Sequence, residues 1–198
     1  MNRHDIPNRP GGWTGRLAAL ILLAALSPLL LLLALIVRAA MGTGPVLFRQ
    51  TRIGQGGRPF RIVKFRTMSD TEPPRVVPAG RLLRKWKADE LPMLWNVVRG
   101  EMAWVGPRPD VPGYADCLSG AARGILRLKP GLTCRATLKY RDEEELLARQ
   151  ADPLRFNDEV IWPDKVRMNL EYLEKRSLRE DCAILMETVA VLVWKRRK

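Results

Sequence analysis

Apolar and polar positions sort the chain into a long membrane-like stretch, a short-strand region and a series of helix-period segments. From Leu17 to Val37 the sequence LAALILLAALSPLLLLLALIV runs 21 residues without a charge, which matches the ~20 apolar residues a straight helix needs to cross a bilayer. Ser27-Pro28 falls near its centre. Proline removes a backbone donor there and crowds the carbonyl of Ala24, so the pattern predicts a kink between half-helices of about ten residues, with Ser27 placed to bond the freed carbonyl. The run is longer than the apolar core of a secretory signal, and no small-residue cleavage pattern follows it before Gly42.

Beyond Gly42, Gly44 and Pro45 the period shortens. Pro45 to Gln50 reads as a strand, and Gly54, Gly56 and Gly57 place a hairpin turn between Phe48 and Phe60. In Val63-Lys64-Phe65-Arg66-Thr67 the alternation sets Val63, Phe65 and Thr67 on one face and Lys64 with Arg66 on the other, about 7 Å apart. Residues 70–80, with Pro73, Pro74, Pro78 and Gly80, read as a loop. Leu82, Leu83 and Trp86 then predict a short amphipathic helix, and Pro92 suits the first position of another that runs to Gly100. Asp89 and Glu90 would lie at or just before that helix start, where backbone donors and the helix dipole keep carboxylates ionised.

Pro107 and Pro109 hold Arg108 in an extended, stiff frame suited to an anionic or planar ligand. Lys129 to Thr133 reads as a turn, Glu143 to Gln150 as a short helix, and Asp164 as the cap of a helix through Val166, Leu170 and Leu173. The apolar stretch from Ala183 to Trp194, followed by Lys195-Arg196-Arg197-Lys198, is too short to span. It fits a helix lying at the membrane interface or a core helix with a basic tail.

Charge narrows the topology. Arg3, Arg9 and Arg16 precede the long apolar run and Arg38, Arg49, Arg52, Arg58 and Arg61 follow it, so the positive-inside rule places both flanks in the cytoplasm. A helix that enters one leaflet, turns at Ser27-Pro28 and returns satisfies this; a proline-kinked full span is the alternative. The predicted fold class is α+β, mainly helical, with a re-entrant N-terminal membrane helix, a small β-hairpin and amphipathic interfacial helices. Its predicted organisation is a basic tail over 1–15, the re-entrant helix over 16–38 and a cytoplasmic catalytic domain with interfacial helices over 39–198.

Lys and Arg total 34 against 21 Asp and Glu, a net charge of +13 in 198 residues, which implies an anionic partner: nucleic acid, anionic lipid or a phosphorylated substrate. The sole histidine, His4, stands near the N-terminus, and Cys117, Cys134 and Cys182 form neither a Cys-x-x-Cys pair nor an even disulfide set. Triads with histidine, Cys-His pairs and His-ligated zinc are thereby disfavoured, and carboxylates must carry acid, base or nucleophile work. Oxygen ligands favour magnesium or manganese. Asp89-Glu90, inside Arg84-Lys85-Trp86-Lys87-Ala88-Asp89-Glu90-Leu91-Pro92, is a carboxylate pair among cations, a composition suited to phosphate chemistry.

The broken apolar helix, Lys64-Phe65-Arg66-Thr67-Met68, Asp89-Glu90-Leu91-Pro92, Gly106-Pro107-Arg108-Pro109 and Lys129-Pro130-Gly131-Leu132-Thr133, in this order and spacing, resemble the bacterial sugar transferase family, the monotopic phosphoglycosyl transferases. The likeness extends from about Arg16 to Trp194, and Ala136 to Glu144 looks like the version in exopolysaccharide-initiating members. It implies transfer of a sugar 1-phosphate from a UDP-sugar to polyprenyl (undecaprenyl) phosphate, releasing UMP, as the first membrane step of bacterial glycan assembly. The setting it implies is the cytoplasmic face of the bacterial inner membrane. By the same resemblance Asp89 is the nucleophile that forms a phosphosugar-aspartyl intermediate, and Glu90 helps bind Mg2+ or activates the lipid acceptor, with Asp89 also touching the metal. Arg84, Arg108 and Arg141 match positions for phosphate or nucleotide, and Lys64, Arg66, Pro107 and Pro109 join the substrate site. Cys134, Met93, Ala103 and Ala88 depart from the usual Gly, Gln, Ser and Leu.

The implied partners are the UDP-sugar, polyprenyl phosphate and membrane lipid, with no nucleic acid; a homo-oligomer stays open. The rival from another class is a membrane-tethered basic protein that binds nucleic acid or anionic lipid. Only 7% of the chain is aromatic, however, and its arginines gather around carboxylates rather than among stacking residues.

Overall fold

The structure, a computed structural model, describes residues 12–42 and 44–193. Arg3, His4 and Arg9 of the predicted tail, and Trp194 with the terminal cations, lie outside the described residues. Two compact units divide the chain, Met1–Arg52 with Phe60–Met102 and Ile53–Pro59 with Ala103–Lys198.

In the first unit the apolar run forms helix α1 (Trp13–Met41). It continues through Ser27-Pro28 as one element rather than as two separate half-helices. Ser27 Oγ donates to Ala24 O at 2.8 Å, the bond predicted for the carbonyl that Pro28 leaves without its amide partner, and this satisfaction lets the helix run on. Leu17, Ile21, Leu31, Leu32, Leu35 and Ile36 face outward and are exposed. The opposite side packs inward. Val37 joins Phe65 and Leu83 in a buried cluster with Leu33 and Ala34 at its edge, and near the other end Arg16 Nε donates to Val98 O at 2.7 Å.

Strands β1 (Leu47–Ile53) and β2 (Pro59–Phe65) pair as the predicted hairpin. They close on a 3-10 turn at Gln55–Gly57. Helix α2 (Pro78–Lys85) starts earlier than the proline and glycine content of 70–80 suggested, because Pro78 occupies a first-turn position that needs no amide donor. The next element also starts early. A 3-10 turn at Ala88–Met93 holds Asp89, Glu90 and Pro92 together, and helix α3 (Leu94–Val98) follows it, so Pro92 is internal rather than initial.

The second unit is built around a pair the sequence concealed. Strand β3 (Ala103–Val105) runs parallel to β4 (Gly131–Thr133), with Ala103 opposite Gly131 and Val105 opposite Thr133. The predicted turn at Lys129–Thr133 is therefore a strand in its last three residues. Pairing is close because Gly131 has no side chain: a Cβ there would lie 2.2 Å from Gly106 N. Helices α4 (Arg135–Lys139) and α5 (Glu143–Ala148) follow, the second as predicted.

Helix α6 (Pro153–Phe156) passes through a π turn at Asn157–Ile161 into α7 (Trp162–Lys175). Asp164 is thus not the cap. The run begins at Asp152, whose side chain accepts from Arg155 N at 3.0 Å, with Pro153 in the first turn. Helix α8 (Leu178–Val193) closes the unit. Val105, Leu128, Tyr172 and Ile184 form one core, and Ile53, Ala115, Ile125, Leu126 and Val166 another.

Candidate active site

Asp89 lies one residue inside the 3-10 turn, after Lys87 in a left-handed backbone conformation (φ 52°). That reversal brings α2 and the acidic pair into contact. Asp89 is only 5% exposed, and its Oδ1 is buried with no hydrogen-bond partner among the described residues. Burial first, and then the adjacent Glu90 charge, push its carboxyl above the ordinary aspartate range, against the pull of Lys64, Lys87 and Arg84. Desolvation outweighs the cations around it, so the carboxyl holds its proton more tightly than the helix-start expectation implied. A more basic carboxylate is also the stronger nucleophile in its deprotonated form.

The cations reach Asp89 from different elements. Lys64 comes from β2, with its Nζ 5.6 Å from the Phe48 ring centre. Arg84 comes from the last turn of α2 and donates through Nε to Thr67 Oγ1 at 3.0 Å. Lys87 sits at the reversal; it escaped assignment although it stands in the same basic run. Arg66 takes a different place from the predicted shared face with Lys64, since β2 ends at Phe65 and the alternation ends with it. Its guanidinium is 6% exposed as part of the residue, donates to both Asp70 oxygens at 3.0 and 2.9 Å, and reaches Met41 O at the end of α1 at 3.1 Å.

Asn96 is a further residue that the pattern did not mark. It is 1% exposed; its Oδ1 accepts from Val63 N at 3.2 Å, and its Nδ2 donates to Arg61 O and Glu101 Oε2, both at 2.7 Å. These bonds fasten α3 to β2 and so fix Lys64 relative to the turn that carries Asp89. An asparagine in an apolar helical run is the only local signal, and it is a weak one.

Pro107, Arg108, Pro109 and Arg141 belong to the second unit. Arg108 is exposed between two buried prolines, in keeping with the stiff frame read from the sequence. Arg141 donates to Val191 O of α8 at 3.1 Å. Cys134 is buried, and its Sγ accepts from Thr137 N at 3.3 Å, so the thiol takes the place of a capping oxygen on α4.

Among the described residues no three His, Cys, Asp or Glu side chains cluster to hold a metal. The donor set at Asp89-Glu90 is two carboxylates, one with a buried oxygen awaiting a partner. That set fits magnesium, which is held by one or two carboxylates together with water and substrate phosphate oxygens.

Residues 13–195 match the model of the family described as bacterial sugar transferase. The chain is 38% identical over 194 residues to a UDP-glucose:undecaprenyl-phosphate glucose-1-phosphate transferase of Caulobacter vibrioides, covering 89% of this chain and 67% of that protein. It is 31% identical to the exopolysaccharide production protein ExoY of Sinorhizobium fredii, over 91% of this chain and 84% of that one. A third relative, from Aeromonas hydrophila, is named UDP-N-acetylgalactosamine-undecaprenyl-phosphate N-acetylgalactosaminephosphotransferase; it is 31% identical over 89% of this chain and 42% of its own length.

Proposed function

The chain belongs to the bacterial sugar transferase family, and from that premise we propose that it transfers a sugar 1-phosphate from a UDP-sugar to undecaprenyl phosphate, with release of UMP. The observation that carries this reading is the Asp89 carboxylate, buried and unpartnered among the described residues, with Lys64, Arg84 and Lys87 acting on it. A binding module has no need to bury such a group, because an unsatisfied buried oxygen costs about 1–3 kcal/mol.

In the proposed reaction an Asp89 oxygen attacks the sugar-linked phosphorus of the donor. The bond from that phosphorus to the oxygen bridging the two phosphates breaks, and UMP leaves with the bridging oxygen and its electron pair. The phosphosugar is then an acyl phosphate on Asp89. A phosphate oxygen of undecaprenyl phosphate attacks the same phosphorus, and the Asp89 carboxylate leaves with the electrons of its bond. The attacking form of Asp89 is the carboxylate and the acceptor attacks through an ionised phosphate oxygen, so neither step as written requires a proton to move.

Lys64, Arg84 and Lys87 draw the diphosphate to Asp89 and offset the charge that builds up as the nucleophile and the phosphate approach. Glu90, next to Asp89, keeps the carboxylate basic. Magnesium, held by Asp89 and Glu90 when bound, would neutralise phosphate oxygens of the donor. Arg108, Arg141, Pro107, Pro109 and Arg66 remain proposed contributors to nucleotide or phosphate binding.

The same proposal places the protein at the cytoplasmic face of the inner membrane, with α1 entering and leaving one leaflet. Arg16 near one end of α1 and Val37 near the other both rest on the first unit. A full span would instead carry one end across ~30 Å of hydrocarbon. The outward side of α1 between them is apolar and exposed.

The reaction is tested with the full chain in nanodiscs, given undecaprenyl phosphate, magnesium and a panel of UDP-sugars. At least one donor is expected to yield UMP, and Asp89→Asn to lower the rate at least about a thousandfold, as loss of a nucleophile does. Undiminished UMP release by Asp89→Asn would overturn the assignment of the nucleophile.

A further inference from the structure

We propose that Thr67 is a positioning residue that holds the Arg84 guanidinium beside Asp89; the role rests on the phosphosugar transfer proposed above. Thr67 is 6% exposed and lies two residues beyond β2. Its hydroxyl oxygen accepts from Arg84 Nε at 3.0 Å. Its backbone is held independently, since Thr67 O accepts from Val77 N, the residue that precedes α2, at 3.2 Å.

Gly80 explains why the hydroxyl sits where it does. A Cβ on Gly80 would lie 2.2 Å from Thr67 O, so α2 can lie against the Thr67 backbone only because this residue has no side chain. Gly80 and Arg84 are four residues apart and share one face of α2. Thr67 therefore meets that face at two successive turns, its carbonyl under Gly80 and its hydroxyl under Arg84. The helix cannot slide along this contact without losing both.

A long, flexible arginine is effective at a developing charge only when its geometry is set before the substrate arrives. The Arg84–Thr67 bond sets it from within the first unit, and α2 packs on the turn that carries Asp89. Thr67 touches no reacting atom in this account; it acts through Arg84.

Thr67→Val keeps the shape of the side chain and removes the acceptor, whereas Thr67→Ser keeps the acceptor. In full-length protein in nanodiscs, Thr67→Val is expected to lower kcat/KM for the UDP-sugar about tenfold with its unfolding midpoint unchanged, and Thr67→Ser to retain most of the activity. Added to Arg84→Ala, Thr67→Val is expected to cost nothing further, because the two act as one unit. Equal losses in the Val and Ser variants, or losses that multiply in the double variant, would overturn the role.

A second readout does not depend on the reaction. The Nε–H resonance of Arg84, assigned by its absence in Arg84→Lys, is expected to be protected from solvent exchange in the wild type and in Thr67→Ser and exposed in Thr67→Val; unchanged protection in Thr67→Val overturns the proposal. Should the wild type release no UMP from any donor, the transfer reading falls and this resonance alone decides the role of Thr67.

Discussion

Asp89 and Asp164 are both aspartates beside several cations, yet their carboxyls move in opposite directions. At Asp89 burial and Glu90 win over Lys64, Lys87 and Arg84. At Asp164 direct bonds win: Lys139 Nζ lies 2.7 Å and Tyr140 OH 2.8 Å from Oδ2, and an Arg167 nitrogen lies 2.6 Å from Oδ1, which holds the carboxyl well below the usual range. Because the folded group titrates below the unfolded value of ~3.9, the unfolded chain takes up its proton first as pH falls. The stabilisation is therefore complete above roughly pH 5 and is lost as pH drops through the folded value. Asp164→Asn is expected to unfold at a lower temperature than the wild type at pH 7, with the gap narrowing below about pH 4. A gap that stays constant with pH would remove the ionised carboxylate from the explanation. The cations near Asp89 were legible in its neighbours, but its burial and the direction of its shift were not, because burial depends on residues distant in the chain.

Elements with a local signature came through largely intact. The apolar run became α1, the glycine cluster became the β1–β2 turn, and the serine before Pro28 bonds the carbonyl that the proline leaves open. The β3–β4 pair had no such signature, since three-residue parallel strands separated by a long connection show no period and no tight turn. What makes them pair is the close approach of Gly106 and Gly131. Gly131→Ala is expected to destabilise the protein by about 3 kcal/mol or more, because backbone atoms rather than a flexible side chain must give way. Gly12, with open space around its Cβ position, serves as the comparison, and Gly12→Ala should leave the unfolding midpoint nearly unchanged. Equal midpoints for the two variants in thermal unfolding would count against the backbone contact.

The membrane disposition involves the whole of α1 and both of its ends. Its two basic flanks, and the contacts of Arg16 and Val37 with the first unit, lead to one expectation for cells: labels at the N-terminus and the C-terminus are both shielded from an impermeant reagent outside intact spheroplasts and both react after lysis. An N-terminal label that reacts before lysis would establish the kinked full span instead. The amino-acid order alone specified an apolar helix with a proline, a hairpin, a basic chain without usable histidine, and an acidic pair among cations, because each of these follows from neighbours within a few residues. The fold decided that Arg66 turns to Asp70 and the end of α1, that Asn96 ties α3 to β2, that Thr67 holds Arg84, and that the Asp89 carboxylate is buried. Those outcomes depend on which distant backbones pack together, and desolvation and close packing arise only when they do.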